Sequence, residues 1–256
     1  MDGTFYLGDE LLPGAKDLIH FWDDKGIKYL FITNNSSKNA EDYVKKLRHL
    51  GVEVAREKIF TSGEATCIYL KQEYPGKKIF LAGTSALEEE FHQQGILLTH
   101  ADPEVIVLGF DTTLTYAKLW RFCDLARAGL PYIATHPDFN CPTGEGYMPD
   151  IGAMIAFVAA ATGRQPDVVV GKPNLPMTKT ILHKVGVPLG QIAMVGDRLY
   201  TDVAMGKTGI MTILVLSGET SLKEAKKSKF QADLIVNNLA DLLQKINLNE
   251  PREPLN

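Results

Sequence analysis

Short apolar runs alternate with stretches of helical spacing along almost the whole chain. The apolar runs are rich in Val, Ile and Leu, and they predict buried strands over 28–33, 78–82, 105–109, 131–134, 167–170, 191–195, 211–216 and 233–236. Between them, apolar positions recur at helical spacing, as in Leu119, Phe122 and Leu125 after the helix-capping Thr115. This alternation predicts an α/β fold with a doubly wound parallel sheet that helices cover on both faces.

Two stretches rich in turn residues interrupt this pattern, at 74–77 (Tyr-Pro-Gly-Lys) and 163–166 (Gly-Arg-Gln-Pro). We interpret them as the two crossings between a discontinuous core domain and a domain inserted into it. The core domain is therefore predicted over 1–75 and 167–256, and the inserted domain over 76–166.

Composition narrows the class of partner. The 256 residues include 45% hydrophobic and 23% charged side chains, which is ordinary for a globular protein. The formal net charge of −4 argues against nucleic acid or an anionic membrane as the main partner, since both attract basic surfaces. Cys67, Cys123 and Cys141 form no C-x-x-C pair, so reduced thiols in the cytoplasm are predicted. We expect neither a signal peptide nor a membrane span, since no apolar run approaches roughly 20 residues.

The first candidate for chemistry follows the predicted strand that ends at Val195. Gly196 comes next, and then Asp197 and Asp202 place two carboxylates around a helix start. Hard oxygen ligands at such a point suit Mg²⁺, which takes one or two carboxylates and keeps several waters. Helix capping alone is the other interpretation of Asp202.

The second candidate follows the strand predicted over 28–33. Thr33, Asn34 and Asn35 offer a hydroxyl and two amides just before a helix, and the N–H groups and dipole of a helix N-terminus favour an anion such as phosphate. Simple N-capping of that helix by Ser36 or Ser37 is the alternative.

The third candidate is Lys172, between Gly171 and Pro173 at the exit of an apolar strand. A cation fixed there can neutralise a phosphoryl group during transfer, although a lysine in a loop is often merely solvated. Ligands in open α/β sheets bind at the carboxyl ends of the strands, so we expect Asp2, Thr33, Lys172 and Asp197 to line one pocket.

The joint pattern is more specific than its parts. Four ordered motifs resemble those of the haloacid dehalogenase superfamily: Met1-Asp2-Gly3-Thr4, Ile32-Thr33-Asn34, Gly171-Lys172-Pro173, and Gly196-Asp197 with Asp202. The resemblance is strongest to the NagD-like (class IIA) phosphatases and covers nearly the whole chain. Stretches such as 133–138 (Ile-Ala-Thr-His-Pro-Asp) and 214–220 (Leu-Val-Leu-Ser-Gly-Glu-Thr) also resemble that group. The resemblance implies a Rossmann-like core with an inserted α/β cap of the C2 type.

The resemblance also implies which residues act. The first motif of the family is D-x-D-G-T, in which the first aspartate attacks phosphorus and forms an aspartyl-phosphate, and the second is the general acid and base. Laid on this sequence, Asp2 is the second aspartate, Met1 is the x, and the nucleophile stands just before Met1. In a doubly wound sheet this loop follows a strand, so we expect the first core strand to be missing from the chain as well.

The metal and phosphate ligands follow from the same resemblance. It implies that Asp2 offers its backbone carbonyl and Asp197 its carboxylate to Mg²⁺, and that Asp202 supports the metal and its waters. The phosphate would be held by Thr33 and Asn34 and neutralised by Lys172, with Arg198 and Thr201 as further candidates near the metal. The cap would exclude water and select the substrate, and 135–150 is the candidate specificity loop, with an ordinary surface loop as the alternative.

Two functions fit these residues. The first is a Mg²⁺-dependent phosphomonoester hydrolase that acts on a small phosphorylated metabolite, such as a sugar phosphate or a nucleotide, and whose nucleophile lies upstream of Met1. The alternative is a truncated or degenerate phosphate-binding protein without turnover, and on either hypothesis a chain that starts at Met1 is expected to be inactive. The sequence leaves the substrate and homo-oligomerisation open.

Overall fold

The computed structural model describes residues 1–143 and 146–249. Its contacts divide the chain into two compact units. The smaller unit consists of Met1–Tyr29 and Val187–Asn256, and the larger unit is Leu30–Gly186.

The elements alternate along the chain. The strands are β1 (Tyr6–Leu7), β2 (Glu10–Leu11), β3 (Phe31–Thr33), β4 (Ile59–Thr61), β5 (Lys78–Ala82), β6 (Leu97–Leu98), β7 (Val105–Leu108), β8 (Tyr132–Ala134), β9 (Asn140–Thr143), β10 (Gly146–Pro149), β11 (Val168–Val169), β12 (Ala193–Gly196), β13 (Met211–Val215) and β14 (Leu234–Val236). The α-helices are α1 (Ala15–Asp24), α2 (Ala40–His49), α3 (Ser62–Glu73), α4 (Ser85–Gln93), α5 (Tyr116–Arg127), α6 (Ile151–Thr162), α7 (Leu175–Val185), α8 (Leu222–Lys227) and α9 (Leu239–Asn249). Short 3₁₀ helices cover Arg56–Lys58, Leu189–Gln191 and Val203–Thr208.

A five-stranded sheet forms the centre of the larger unit, in the order β11-β8-β7-β5-β6. All of its strand pairs are parallel, and Phe80, Ile106, Phe122 and Tyr132 are buried in the cluster beside it. The larger unit also holds the parallel pair β3–β4 and the antiparallel pair β9–β10. Because parallel strands need crossover connections, helices separate most of them along the chain.

The smaller unit contains the parallel sheet β12-β13-β14 and the antiparallel pair β1–β2. Helices α1 and α9 pack against each other. Gly14 permits this close approach, because it has a positive φ of 84° and a Cβ there would lie 2.1 Å from the backbone nitrogen of Ala240.

The structure confirms the predicted α/β class with parallel sheets. Every predicted strand overlaps an observed one, whereas the shortest elements, such as β1, β6 and β9, were not predicted because two to four residues are too few to show a period. Strand β11 pairs with β8, so the five-stranded sheet continues beyond residue 166. The compact units have other boundaries than the domains predicted over 1–75, 76–166 and 167–256, and that division stays a prediction.

Among the described residues, no helix combines the length and the hydropathy that a membrane crossing requires.

Candidate active site

Asp197 follows β12 in the smaller unit, and its buried carboxylate is held from several sides. Oδ1 accepts a hydrogen bond from the Thr4 hydroxyl at 2.9 Å, and Oδ2 accepts one from the Glu219 backbone N–H at 2.9 Å. A Cβ on Gly3 would lie 2.3 Å from Oδ2, and a Cβ on Gly218 would lie 2.1 Å from it. Only glycine fits at these two positions, so the backbone itself forms the walls around this carboxylate.

Asp202 is also buried, and its carboxylate turns back toward the end of β12. Its Oδ2 accepts a hydrogen bond of 3.3 Å from the Arg198 backbone N–H. A Cβ on Gly196 would lie 2.3 Å from the Cβ of Asp202, so the glycine permits the close approach. Asp202 precedes the 3₁₀ helix Val203–Thr208, but its side chain makes no capping hydrogen bond to that helix. The helix-capping interpretation of Asp202 is therefore wrong.

The other candidates of the smaller unit lie in the same two loops. Asp2 is exposed, and its backbone forms an isolated bridge with Tyr6. The Arg198 guanidinium lies 2.9 Å from Oε2 of Glu219, and Thr201 is buried. Arg198 is therefore paired with an acidic side chain of the protein, and its role as a phosphate contact stays a prediction.

The smaller unit offers donors that fit a divalent cation. Asp197 and Asp202 present two buried carboxylates at the end of one strand, which suits Mg²⁺ because that ion takes few protein carboxylates and keeps its waters. Among the described residues, a group of three side chains with all potential ligand atoms within 4.8 Å is formed by His136, Asp138 and Asp150, and not by Asp2 with Asp197 and Asp202. A metal on the smaller unit therefore needs oxygen ligands besides these carboxylates.

Asn34 follows β3 in the larger unit, and its buried side chain binds the main chain of Lys172. Its Oδ1 accepts from the Lys172 N–H at 2.9 Å, and its Nδ2 donates to the Lys172 carbonyl at 3.0 Å. The Thr33 hydroxyl accepts from the Asn35 N–H at 3.2 Å. The Asn34 side chain thus holds the main chain of Lys172, and a phosphate contact by Asn34 stays a prediction.

Helix α2 begins at Ala40, beyond the two candidate caps Ser36 and Ser37. Its N-cap is Asn39, which forms a capping box with Asp42. The Ser36 hydroxyl instead accepts from the Phe110 N–H and contacts the Thr135 hydroxyl, both at 2.9 Å. Capping by Ser36 or Ser37 is therefore wrong as an account of this segment.

Lys172 is only 6% exposed, so it is not the solvated loop lysine of the alternative interpretation. Gly171 positions it, because a Cβ there would lie 2.5 Å from the His136 Cβ and 2.9 Å from Oδ1 of Asn34. The loop after β11 is therefore confined by the loop after β8 and by the Asn34 side chain.

Sequence reasoning missed a buried cluster in the larger unit. His136 donates or accepts at both ring nitrogens, with Nε2 3.0 Å from Oδ1 of Asp150 and Nδ1 3.1 Å from the Thr135 hydroxyl. Both carboxylate oxygens of Asp138 lie 3.3 Å from Nδ2 of Asn34. Thr135, His136, Asp138 and Asp150 fall within the predicted specificity loop 135–150, of which Gly144 and Glu145 lie outside the described residues. The spacing of His136, Asp138 and Asp150 is not typical of a metal site, so the only signals were the family-like stretch 133–138, which holds His136 and Asp138, and the predicted loop 135–150.

Comparison with known proteins places these motifs in one family. A family model described as haloacid dehalogenase-like hydrolase matches residues 1–97, and one described as HAD-hydrolase-like matches residues 169–242. A dihydroxyacetone phosphatase of Corynebacterium glutamicum (strain R) is 33% identical over 94% of this chain and 88% of its own length.

Solved structures share the fold over almost the full chain. The crystal structure of a 4-nitrophenylphosphatase from Thermotoga maritima has a TM-score of 0.92 and 46% identity, covering 95% of this chain and 94% of that one. NagD from Escherichia coli K-12 has a TM-score of 0.87 and 30% identity, covering 94% and 95%. With both halves of the motif set matched and relatives aligned over nearly their whole length, the chain belongs to the haloacid dehalogenase superfamily, in its NagD-like (class IIA) phosphatase group.

Proposed function

We propose that the protein is a Mg²⁺-dependent phosphomonoester hydrolase that acts through an aspartyl-phosphate on a small phosphorylated metabolite. The observation that carries the proposal is Asp197, whose carboxylate lies between Gly3 and Gly218 and accepts hydrogen bonds from Thr4 and Glu219. Burying a carboxylate costs free energy unless its charge is paired. A hard cation is a partner that suits such a carboxylate.

The metal-holding residues of the proposal are Asp2, Asp197 and Asp202. Asp197 would supply a carboxylate oxygen, Asp2 its backbone carbonyl, and Asp202 would orient the remaining waters. When bound, Mg²⁺ supplies Lewis-acid stabilisation of the charge on the transferring phosphoryl group. The chemistry of these donors favours Mg²⁺ over softer metals, because the set contains no thiolate and no imidazole.

The phosphate-binding residues of the proposal are Thr33, Asn34 and Lys172, with Arg198 and Thr201 as further contacts. Thr33 would donate its hydroxyl and Asn34 its main-chain N–H, while Lys172 neutralises the phosphate. Lys172 is well suited to this role because it is buried and its backbone is held, so little reorganisation accompanies the reaction.

The nucleophile of the proposal is an aspartate immediately before Met1, at the end of an upstream strand. Its carboxylate would attack phosphorus while Asp2 protonates the leaving oxygen. Asp2 would then take a proton from the water that hydrolyses the aspartyl-phosphate. The exposure of Asp2 supports a role in proton exchange with substrate and water.

The substrate of the proposal is a small sugar phosphate or a nucleotide-like phosphate, selected by a C2-type cap over 76–166. The relative named dihydroxyacetone phosphatase favours a small sugar-like substrate. We also propose a cytoplasmic location, which fits the finding that Cys67, Cys123 and Cys141 form no disulfide in the part of the chain that the structure describes. Neither nucleic acid nor membrane is proposed as a partner, and self-association is left to experiment.

The second candidate is a phosphate-binding protein without turnover, for which the buried Lys172 held by Asn34 would suffice. The two functions are separated by screening phosphorylated metabolites with a protein extended upstream of Met1, with Mg²⁺ and with a chelator. Release of phosphate that needs the metal supports the hydrolase. Binding of phosphate without release by the extended protein would favour the second candidate.

A further inference from the structure

We infer that Asp138 is a positioning residue for Lys172, acting through Asn34, and that the His136–Asp150 pair fixes the loop that carries Asp138. The inference rests on the proposed function, because it assigns a role in the phosphatase reaction to side chains that the four motifs do not include.

Asn34 links Asp138 to Lys172. Its amide oxygen and amide nitrogen hold the N–H and the carbonyl of Lys172, at 2.9 and 3.0 Å, much as a neighbouring strand would. The amide nitrogen has a second hydrogen, and this one points to both oxygens of Asp138 at 3.3 Å. A carboxylate only accepts hydrogen bonds, so Asp138 favours the one amide orientation that suits Lys172.

The loop that carries Asp138 is tied to the start of α6. The backbone N–H of Gly152 donates to the Asp138 carbonyl at 2.8 Å, and a Cβ on Gly152 would lie 2.8 Å from the Pro137 carbonyl oxygen. The Asp150 carboxylate caps α6 by accepting from the Ile151 N–H at 2.6 Å, and the Asp150 N–H donates to the Phe139 carbonyl at 2.9 Å. The loop therefore has little freedom to move away from Asn34.

His136 connects the Asp138 loop and the start of α6 to the loop of Lys172. Its Nε2 lies 3.0 Å from Oδ1 of Asp150, while its Cβ closes the space beside Gly171. The Gly171 N–H also donates to the Thr135 carbonyl at 2.8 Å. The imidazole thus ties the loop after β8 to the first turn of α6, and the Thr135 and His136 backbone region confines the loop after β11. The hydrogen bond of Nε2 accounts for the approach of His136 to Asp150, while Asp138 is held by the Asn34 amide.

The test compares Asp138→Ala, Asp138→Asn and Lys172→Ala, alone and combined, with Asp111→Ala as the matched control. Asp111 is an equally buried carboxylate of the larger unit, but it binds Lys118 and Thr113 and not the loop of Lys172. The measurements are the dissociation constant for inorganic phosphate with Mg²⁺, by calorimetry, and kcat and KM for 4-nitrophenyl phosphate in the upstream-extended protein. Thermal melts of each variant report folding.

We expect Asp138→Ala to weaken phosphate binding and lower kcat/KM by about 10-fold, the lower end of what the loss of an outer partner costs at metal sites. Asp138→Asn keeps one acceptor oxygen and should recover part of that loss. In the Lys172→Ala background, Asp138→Ala should cost little more, because coupled residues are not additive. Asp111→Ala should lower the melting temperature without this loss.

Equal effects of Asp138→Ala and Asp111→Ala on phosphate binding would overturn the inference, and so would full additivity with Lys172→Ala. If the unaltered extended protein releases no phosphate, the proposed function fails instead, which separates the two outcomes.

Discussion

The Thr4 hydroxyl donates a 2.9 Å hydrogen bond to Oδ1 of Asp197, although 193 residues separate the two along the chain. The bond fastens the first loop to the end of β12 within the smaller unit. Ser217 adds to this connection by donating from its hydroxyl to the Gly3 carbonyl at 3.1 Å. The first and the last motif of the family therefore form one hydrogen-bonded assembly around the Asp197 carboxylate.

Asp197→Asn is predicted to weaken Mg²⁺ binding. The amide has the shape of the carboxylate but not its charge, and a hard cation prefers the charged oxygen. The half-saturating Mg²⁺ concentration should rise by about 10-fold or more, since loss of an outer partner alone costs roughly that much. Calorimetric titration with Mg²⁺ measures it, with Asp233→Asn as the control, since Asp233 binds Thr212 at the other end of the sheet strands. Identical titrations for the Asp197 variant and the unaltered protein would remove Asp197 from the metal site.

Gly218→Ala is predicted to disturb the same site by steric means. The added methyl group would lie 2.1 Å from Oδ2 of Asp197 and 2.6 Å from the Gly3 carbonyl oxygen, so one of them must move. We expect weaker Mg²⁺ binding together with a destabilisation of about 1–3 kcal/mol, which is typical of overpacking. Gly190→Ala is the control, because a Cβ there meets nothing within 4 Å. Mg²⁺ affinity and urea unfolding that match the control would show that the site is not as tightly built as the geometry implies.

Asn34→Asp is predicted to destabilise the larger unit. The new oxygen would face the Lys172 carbonyl and the Asp138 carboxylate, where the amide nitrogen now donates. A buried acceptor without a donor, next to a second carboxylate, should cost about 3 kcal/mol or more in the free energy of unfolding. Asn35→Asp serves as the comparison, because the Asn35 oxygen that accepts from Ser37 is retained. Urea unfolding measures both, and equal stabilities would contradict the assigned amide orientation of Asn34.

The sequence predicts the fold and the strand-end motifs better than the partners of the side chains. The long apolar run before Asp197 marks both a strand and the residue that follows it, because both signals are local. The bonds from Asn34 to Lys172 cross 138 residues, and no local pattern reports them. The sequence predicts a phosphate role for Asn34, which stays a prediction, but it gives no sign that the Asn34 side chain holds the backbone of Lys172.

Glu90 is a second residue whose surroundings the local sequence does not report. It belongs to the acidic run Glu88-Glu89-Glu90, which resembles a solvated helix face, yet it lies on the face of α4 that also buries Leu87 and Phe91. Thr61 donates to Oε2 at 2.8 Å, and Arg56 Nη2 lies 3.9 Å from Oε1. Burial raises the pKa of Glu90 to about 7, against the lowering by Thr61 and Arg56.

This raised pKa predicts a pH dependence of stability. Between pH 4.5 and about 7 the folded chain keeps the proton that the unfolded chain has lost, so the free energy of unfolding falls as the pH rises. The fall is about 3 kcal/mol at 1.36 kcal/mol per pKa unit. Glu90→Gln should abolish this contribution, and urea unfolding from pH 4.5 to 8 measures it. Glu89→Gln, in the same helix but exposed, should keep the slope of the unaltered protein. A slope unchanged in Glu90→Gln would show that Glu90 does not titrate in this range.

The central proposal is that the protein hydrolyses phosphomonoesters through an aspartyl-phosphate, formed on an aspartate that precedes Met1. The most direct measurement is Mg²⁺-dependent release of phosphate from 4-nitrophenyl phosphate by three chains: one that starts at Met1, one extended by an apolar strand that ends in Asp, and one extended by the same strand ending in Asn. We predict turnover for the Asp extension alone, with the other two lower by up to about 10⁶-fold, as when a catalytic nucleophile is removed from a protease. Thermal melts should show both extended chains to be equally stable. Metal-dependent turnover by the chain that starts at Met1, or equal turnover by the Asp and Asn extensions, would contradict the account.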